Sequence, residues 1–182
     1  MGIRLADEAR LVDPVQFALS ADLRADCHLS TIHGDLNGYN VLVDAYNECW
    51  LIDFANTCQG PLMQDFATFE VFLRVMLVEE SNWKSLLAWA RSLSGVSDLR
   101  ISALPSDLAG SDEIDKAHQT VLTVRRLALQ EHRAETERSY LIGLLFNALK
   151  LMTVMSLGRA QRDHALISAA LIAEILRNDI SK

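Results

Sequence analysis

The sequence predicts a mainly helical domain with one small β-hairpin near its start, and three observations lead there. From Asp65 onward, apolar residues recur at helical spacing in five successive segments. Earlier, the β-prone runs Val41-Leu42-Val43 and Cys49 to Phe54 flank the polar turn Asp44 to Glu48. The chain has 182 residues, half of them hydrophobic, which suits one domain with a sizeable core. Residues 1–182 are therefore read as a single unit, with a polar loop and hairpin over 31–70 and a helical remainder over 71–182.

Asp13-Pro14 suits a helix start, Asp as N-cap and Pro preset for the first turn, with Val15, Leu19 and Leu23 as the apolar stripe to about Arg24. The run Leu29 to Ile32 leads into a polar loop from His33 to Asn40, and the hairpin follows. Gly60-Pro61 reads as loop punctuation. Asp65 can then cap a helix in which Phe66, Phe69, Val71, Phe72, Leu73, Val75, Met76 and Leu77 cover nearly every face, so it must be central.

Ser81 or Asn82 opens a helix to Leu93 with Leu86, Leu87 and Ala90 inward. Trp83 and Trp89 fall on its different faces, which leaves one free to be exposed. Ser94 to Gly110 lacks periodicity and reads as a long connection. Asp112 starts a helix to about His132, followed by helices from Glu135 to Met155 and from Arg162 to Arg177, the first of these stopped by Gly158. The last two suit a helical hairpin. Glu79-Glu80 and Asp112-Glu113 read as solvated ends and Arg125-Arg126 as an ordinary surface pair.

The formal charge is −7 with no lysine or arginine block, which argues against nucleic acid, because such binding depends on phosphate neutralisation. The most apolar late stretch, Tyr140 to Leu157, is interrupted by Asn147 and Lys150, so a core helix is expected and no membrane partner. Cys27, Cys49 and Cys58 form no CxxC pair, and the start shows no apolar leader. A reduced, cytoplasmic protein is expected.

The chemistry concentrates in Thr31 to Glu70, where His33, Asp35 and Asn40 share a Gly-containing loop and Asp53 follows the run Trp50-Leu51-Ile52. Magnesium takes oxygen ligands, usually one or two carboxylates with phosphate oxygens and water, and Asn40 and Asp53 can provide the protein's share. Asp35 can orient an attacking hydroxyl and accept its proton, a role worth typically ~10²–10⁴-fold in rate. The plainer reading is that these Asp and Asn residues cap turns. A zinc site from Cys27, His28, His33, Cys49 and Cys58 lacks the paired ligands at short spacing that structural zinc shows.

His33-Gly34-Asp35-Leu36-Asn37-Gly38-Tyr39-Asn40 resembles the HxDxxxxN catalytic loop of aminoglycoside phosphotransferases and choline-kinase-like enzymes. Ile52-Asp53-Phe54 is similar to their metal-binding Asp segment, and Asp65-Phe66-Ala67 to the Asp-Leu-Ala that opens their central helix. The resemblance covers Ile32 to Glu70 in motif detail. It implies a protein-kinase-like fold with Asp35 as catalytic Asp, Asn40 and Asp53 holding magnesium with ATP or another nucleoside triphosphate, His33 bracing the loop, and Asp65 accepting the loop's backbone N–H bonds. Asn37 and Gly34, where protein kinases carry Lys and Arg, favour a small-molecule hydroxyl as acceptor.

Such enzymes hold ATP between two lobes, and the smaller supplies a Gly-rich loop and a Lys. Here Lys84, Lys116, Lys150 and Lys182 all follow the loop, and Gly2 is the only glycine before Gly34. The resemblance therefore extends to the larger, helical lobe alone, with an N-lobe elsewhere in the parent chain, a partner domain or self-association expected to cover the cleft. A phosphotransferase is the first functional expectation, and a non-catalytic kinase-like binding or signalling module the alternative.

Overall fold

The computed structural model describes residues 2–4, 10–78, 82–94, 99–130 and 134–180. Glu79-Glu80, the helix start at Ser81 and the helix end near His132 lie outside them. Two short strands, β1 (Gly2–Arg4) and β2 (Arg10–Val12), pair antiparallel, followed by helix α1 (Pro14–Ser20). Asp13 caps α1, its Oδ1 accepting from Val15 N and Gln16 N at 3.1 Å each. The helix buries Pro14 and Phe17 and leaves Val15 and Leu19 exposed, so its inward face is not the anticipated stripe. It also stops at Ser20, because Ala21 is already extended. So short a helix gives periodicity too few turns to fix its orientation; docking of Phe17 against the core does.

Strands β3 (Leu29–Ile32), β4 (Val41–Val43), β5 (Cys49–Leu51) and β6 (Cys58–Pro61) form two antiparallel pairs. The hairpin β4–β5 matches Val41 with Leu51 and Val43 with Cys49. Its turn is held by Asp44, whose Oδ1 accepts from Tyr46 N and Glu48 N at 2.8 and 3.0 Å. The pair β3–β6, from Leu29↔Pro61 to Ile32↔Cys58, has no counterpart in the sequence reading, which treats Gly60-Pro61 as punctuation only. It works because Gly60 leaves room: a Cβ there would lie 2.5 Å from Ile32 Cδ1. This pairing closes residues 33–57 into one excursion that leaves the sheet and returns beside its origin.

The helices α2 (Met63–Met76), α3 (Trp83–Ser94), α4 (Asp112–Ala128), α5 (Ala134–Met152) and α6 (Arg159–Ile180) complete the chain. Helix α2 packs against α4, α5 and α6, which is why its apolar residues cover so much of its circumference. Ala67, Val71 and Val75 join Leu144, Leu145 and Ala148 of α5 and Ala169, Ile172 and Ala173 of α6 in the main core. A second cluster unites Leu73 of α2 and Trp89 and Leu93 of α3 with Val121 and Leu122 of α4, and a third sets Leu86, Leu87 and Ala90 against Ile167 and Leu171. Gly158 does not end α5 but starts α6: its carbonyl accepts from Arg162 N and its N–H donates to Gln161 Oε1 at 3.0 Å. Among the described residues no helix is long and apolar enough to cross a membrane.

Arg125 corrects the surface-pair expectation most sharply, being 1% exposed. Its Nε and Nη2 donate to the Oε2 and Oε1 of Glu70 at 2.8 and 2.7 Å, and its Nη1 to the carbonyls of Leu93 and Leu99. Tyr140 donates its hydroxyl to Glu70 Oε2 at 2.5 Å, and Arg74 reaches Oε1 at 3.3 Å. Burial disfavours the Glu70 carboxylate, but the charge and hydrogen bonds of Arg125, with the Arg74 charge and the Tyr140 hydroxyl, together outweigh that and hold its pKa below the ordinary value. Burial lowers Arg74, whose single longer contact compensates less; burial opposes Arg125 too, but the Glu70 charge and the fork of bonds that Arg125 donates to it outweigh that and raise its pKa. This network locks α2, α4 and α5 around one carboxylate.

Candidate functional site

Residues 33–57 become a site because two groups outside the loop's own turns gather them. The first is Asp65, in the first turn of α2. Its Oδ2 accepts from His33 N at 2.7 Å and its Oδ1 from Gly34 N at 3.0 Å, so one carboxylate holds two consecutive amides. Gly34 sits at φ +83, and a Cβ there would lie 2.3 Å from the Asn56 carbonyl oxygen. Only glycine allows that turn.

The second group is the Ile52 backbone. Its N–H donates to the Asn40 carbonyl at 3.1 Å, and its carbonyl accepts from His33 Nε2 at 2.8 Å. Since a carbonyl only accepts, Nε2 carries the proton, leaving Nδ1 as a buried acceptor with no protein partner among the described residues. Ile52 thus ties the loop's beginning, its end and the segment entering Asp53. The ring of Phe54 lies 5.0 Å from that of His33, centre to centre.

Within the loop, Asn37 caps the short 3₁₀ turn Gly38–Asn40 by accepting from Tyr39 N at 2.9 Å, while its Nδ2 donates to the Asp35 carbonyl and to Asp35 Oδ2 at 3.2 and 3.3 Å. Asn40 is buried, its Nδ2 donating to the Asp35 carbonyl at 2.9 Å. That contact commits the amide nitrogen to the loop, while Oδ1 has no hydrogen bond among the described residues. Asp53 adopts φ 60, ψ 60, a left-handed conformation uncommon outside glycine, and its carboxylate has no hydrogen bond among the described residues. Asn40 and Asp53 would therefore offer two uncommitted oxygens, the donor type a hard divalent cation takes. No group of three or more His, Cys, Asp or Glu gathers for a metal among the described residues, and Cys27, Cys49 and Cys58 are exposed and unpaired.

Two contacts have no local trace in the sequence. Lys150, near the end of α5, places Nζ 3.4 Å from Asp35 Oδ1. Phe72 of α2 packs on Gly38, where a Cβ would come 2.2 Å from Cε1, and meets Tyr39 edge-on at 5.2 Å. The hairpin beside the loop presents Leu42, Val43, Trp50 and Leu51 to solvent, Trp50 being 56% exposed, and Phe54 just after it is exposed as well.

The sequence profile of the ternary complex associated domain 9 family matches residues 2–153. The chain belongs to that family. This domain 9 chain is also 40% identical over 52 residues to a 3-deoxy-D-manno-octulosonic acid kinase of Photobacterium profundum, a stretch that is 29% of the chain and 22% of that enzyme. The chain thus matches about a fifth of that relative's length, a loose relation to a kinase. No solved structure matches it.

Proposed function

We propose that this domain is a phosphotransferase module of protein-kinase-like fold that uses ATP and magnesium to phosphorylate a small-molecule hydroxyl when an N-lobe completes it. The observation that carries the reading is the bracing of the loop that bears Asp35 and Asn40: Asp65 holds its first amides, Asn40 bonds the Asp35 carbonyl, and Ile52, the neighbour of Asp53, bonds both Asn40 and His33. The partial identity to a sugar-acid kinase supports the same reaction class. Asp35 acts as the general base, Asn40 and Asp53 hold the metal, and His33 and Asp65 keep the loop in shape. Bound magnesium would supply positive charge for the phosphate oxygens.

The acceptor oxygen forms its bond to the γ-phosphorus as the bond to the β-bridging oxygen breaks. Its proton passes to Asp35, and ADP leaves with the electron pair. The chain's part is mainly positioning: the Asp65 clamp and the Asn40 contact to the Asp35 carbonyl fix the base's backbone before substrate arrives.

Isothermal titration of the intact protein with magnesium-ATP tests this, with Asp53→Asn expected to weaken binding at least tenfold and Asp35→Asn to abolish transfer while sparing binding. Absence of any magnesium-dependent nucleotide binding would defeat the proposal. A second reading, a binding or signalling module, draws on the exposed apolar hairpin and on a family description that speaks of ternary complexes. Phosphorylation of any acceptor, lost in Asp35→Asn, would exclude it.

A further inference from the structure

The segment that builds the site carries no lysine or arginine between Arg24 and Arg74, and Arg74 is buried against Glu70. Phosphoryl transfer spreads negative charge over the oxygens of the group in flight, so a fixed positive charge beside the base stabilises the transition state more than the ground state. Among the described residues, the cation in contact with Asp35 comes from elsewhere in the chain, 115 residues on: Lys150.

Its placement is built into the helix packing. On α5, Gly143, Asn147 and Lys150 follow at intervals of four and three and share one face. Gly143 meets Ala67 of α2 so closely that a Cβ on the glycine would stand 2.9 Å from that of Ala67. One turn on, the buried Asn147 accepts from the Thr68 hydroxyl at 3.2 Å and donates to the Gly143 carbonyl at 2.9 Å. On α2, Asp65, Thr68 and Phe72 form the matching stripe: Asp65 grips the loop's start, Phe72 its middle, and Thr68 the helix that carries Lys150. The base and the cation are thus referenced to the same stretch of α2.

We propose that Lys150 is a catalytic residue of this site, its ammonium held against Asp35 in the resting state and contacting an oxygen of the transferred phosphoryl group in the transition state. The inference rests on the phosphotransferase reading. As Asp35 takes up the acceptor's proton it loses its charge and releases its ion-pair partner. Lysine suits the transfer because its charge is compact, sits on a flexible stem and carries three rotatable donors. At 64% exposure for Lys150 and 32% for Asp35, the pair faces solvent, where a substrate can reach both side chains. An exposed ion pair of this kind adds little to stability, so its value lies in chemistry.

The test uses the intact protein with magnesium-ADP, alone and with fluoroaluminate, a mimic of the phosphoryl group in flight. Wild type should bind magnesium-ADP more tightly, by roughly tenfold or more, when fluoroaluminate is added. Lys150→Met should keep the affinity for magnesium-ADP and lose that gain, and Lys150→Arg should recover part of it. Asn147→Ala should reduce the gain with Lys150 still present. A merely structural lysine would shift thermal stability and leave the fluoroaluminate gain untouched. Full gain in Lys150→Met overturns the assignment while leaving the phosphotransferase reading standing. Failure of wild type to bind magnesium-ADP overturns both.

Discussion

Replacing Asp65 by alanine separates the support of the loop from its chemistry. The carboxylate accepts from two consecutive part-buried amides, His33 N at 2.7 Å and Gly34 N at 3.0 Å. Hydrogen bonds to a charged acceptor contribute roughly 1.5 kcal/mol or more each, so the pair is worth about 3 kcal/mol. Asp65 also lies in the first turn of α2, where a negative charge adds roughly 0.5 kcal/mol against the helix dipole. Because the amides are only part-buried, water recovers some of this, and a loss of about 2–3 kcal/mol is expected. For a domain of this length that corresponds to a fall in Tm of roughly 4–12 °C. The companion variant, Asp53→Asn, removes a carboxylate that has no hydrogen bond among the described residues and keeps a side chain that tolerates left-handed backbone. It should change stability by no more than about 0.5 kcal/mol. Urea unfolding gives both numbers, and amide exchange at His33 and Gly34 should accelerate in Asp65→Ala alone. Equal destabilisation by the two variants, or unchanged protection of those amides in Asp65→Ala, refutes the division between brace and ligand.

The buried network yields a larger effect. Glu70→Gln leaves Arg125 and Arg74 without their counter-charge in the core and should cost roughly 3–5 kcal/mol, measured by the same denaturation; a loss under about 1 kcal/mol contradicts the geometry. His164 sets a pH dependence. Burial, reinforced by the charge of Arg74, pushes its pKa from 6.5 down to about 3. Above pH 6.5 the ring is neutral in both states and contributes nothing to the slope. As pH falls below 6.5 the unfolded chain takes up a proton that the folded one refuses, so stability declines by about 1.4 kcal/mol per unit down to about pH 3. At about pH 5 the loss is about 2 kcal/mol relative to about pH 7.5, and His164→Gln should remove that share of the slope.

The helical character, the hairpin and the loop residues were legible because each depends on local chemistry. Asp13 finds its acceptor role within three residues, Asp44 within four, and the run of polar groups from His33 to Asn40 stands out between apolar segments. The face buried by α1, the pairing of β3 with β6, and the burial of Arg125 were not legible. Leu29 to Ile32 and Cys58 to Pro61 pair only because the chain returns after a long excursion, and nothing in so short a strand announces a partner so distant. Arg125 reads as a surface residue until Glu70, 55 positions away, is brought to it. A titratable side chain advertises its type in sequence and its environment only in three dimensions.

The same division holds at the site. Sequence alone determined that Asp35, Asn40 and Asp53 occur in order, with a glycine where the loop must turn and a short hairpin to bring the last of them back. Tertiary structure decided what surrounds them: Asp65 on the loop amides, the Ile52 backbone joining both ends, Phe72 under Gly38, and Lys150 beside Asp35. Asp65, Phe72 and Lys150 all come from helices that follow the loop, and helix packing is set by close fits such as Gly143 on Ala67. Such fits depend on the summed shape of two surfaces, so no short stretch of sequence encodes them.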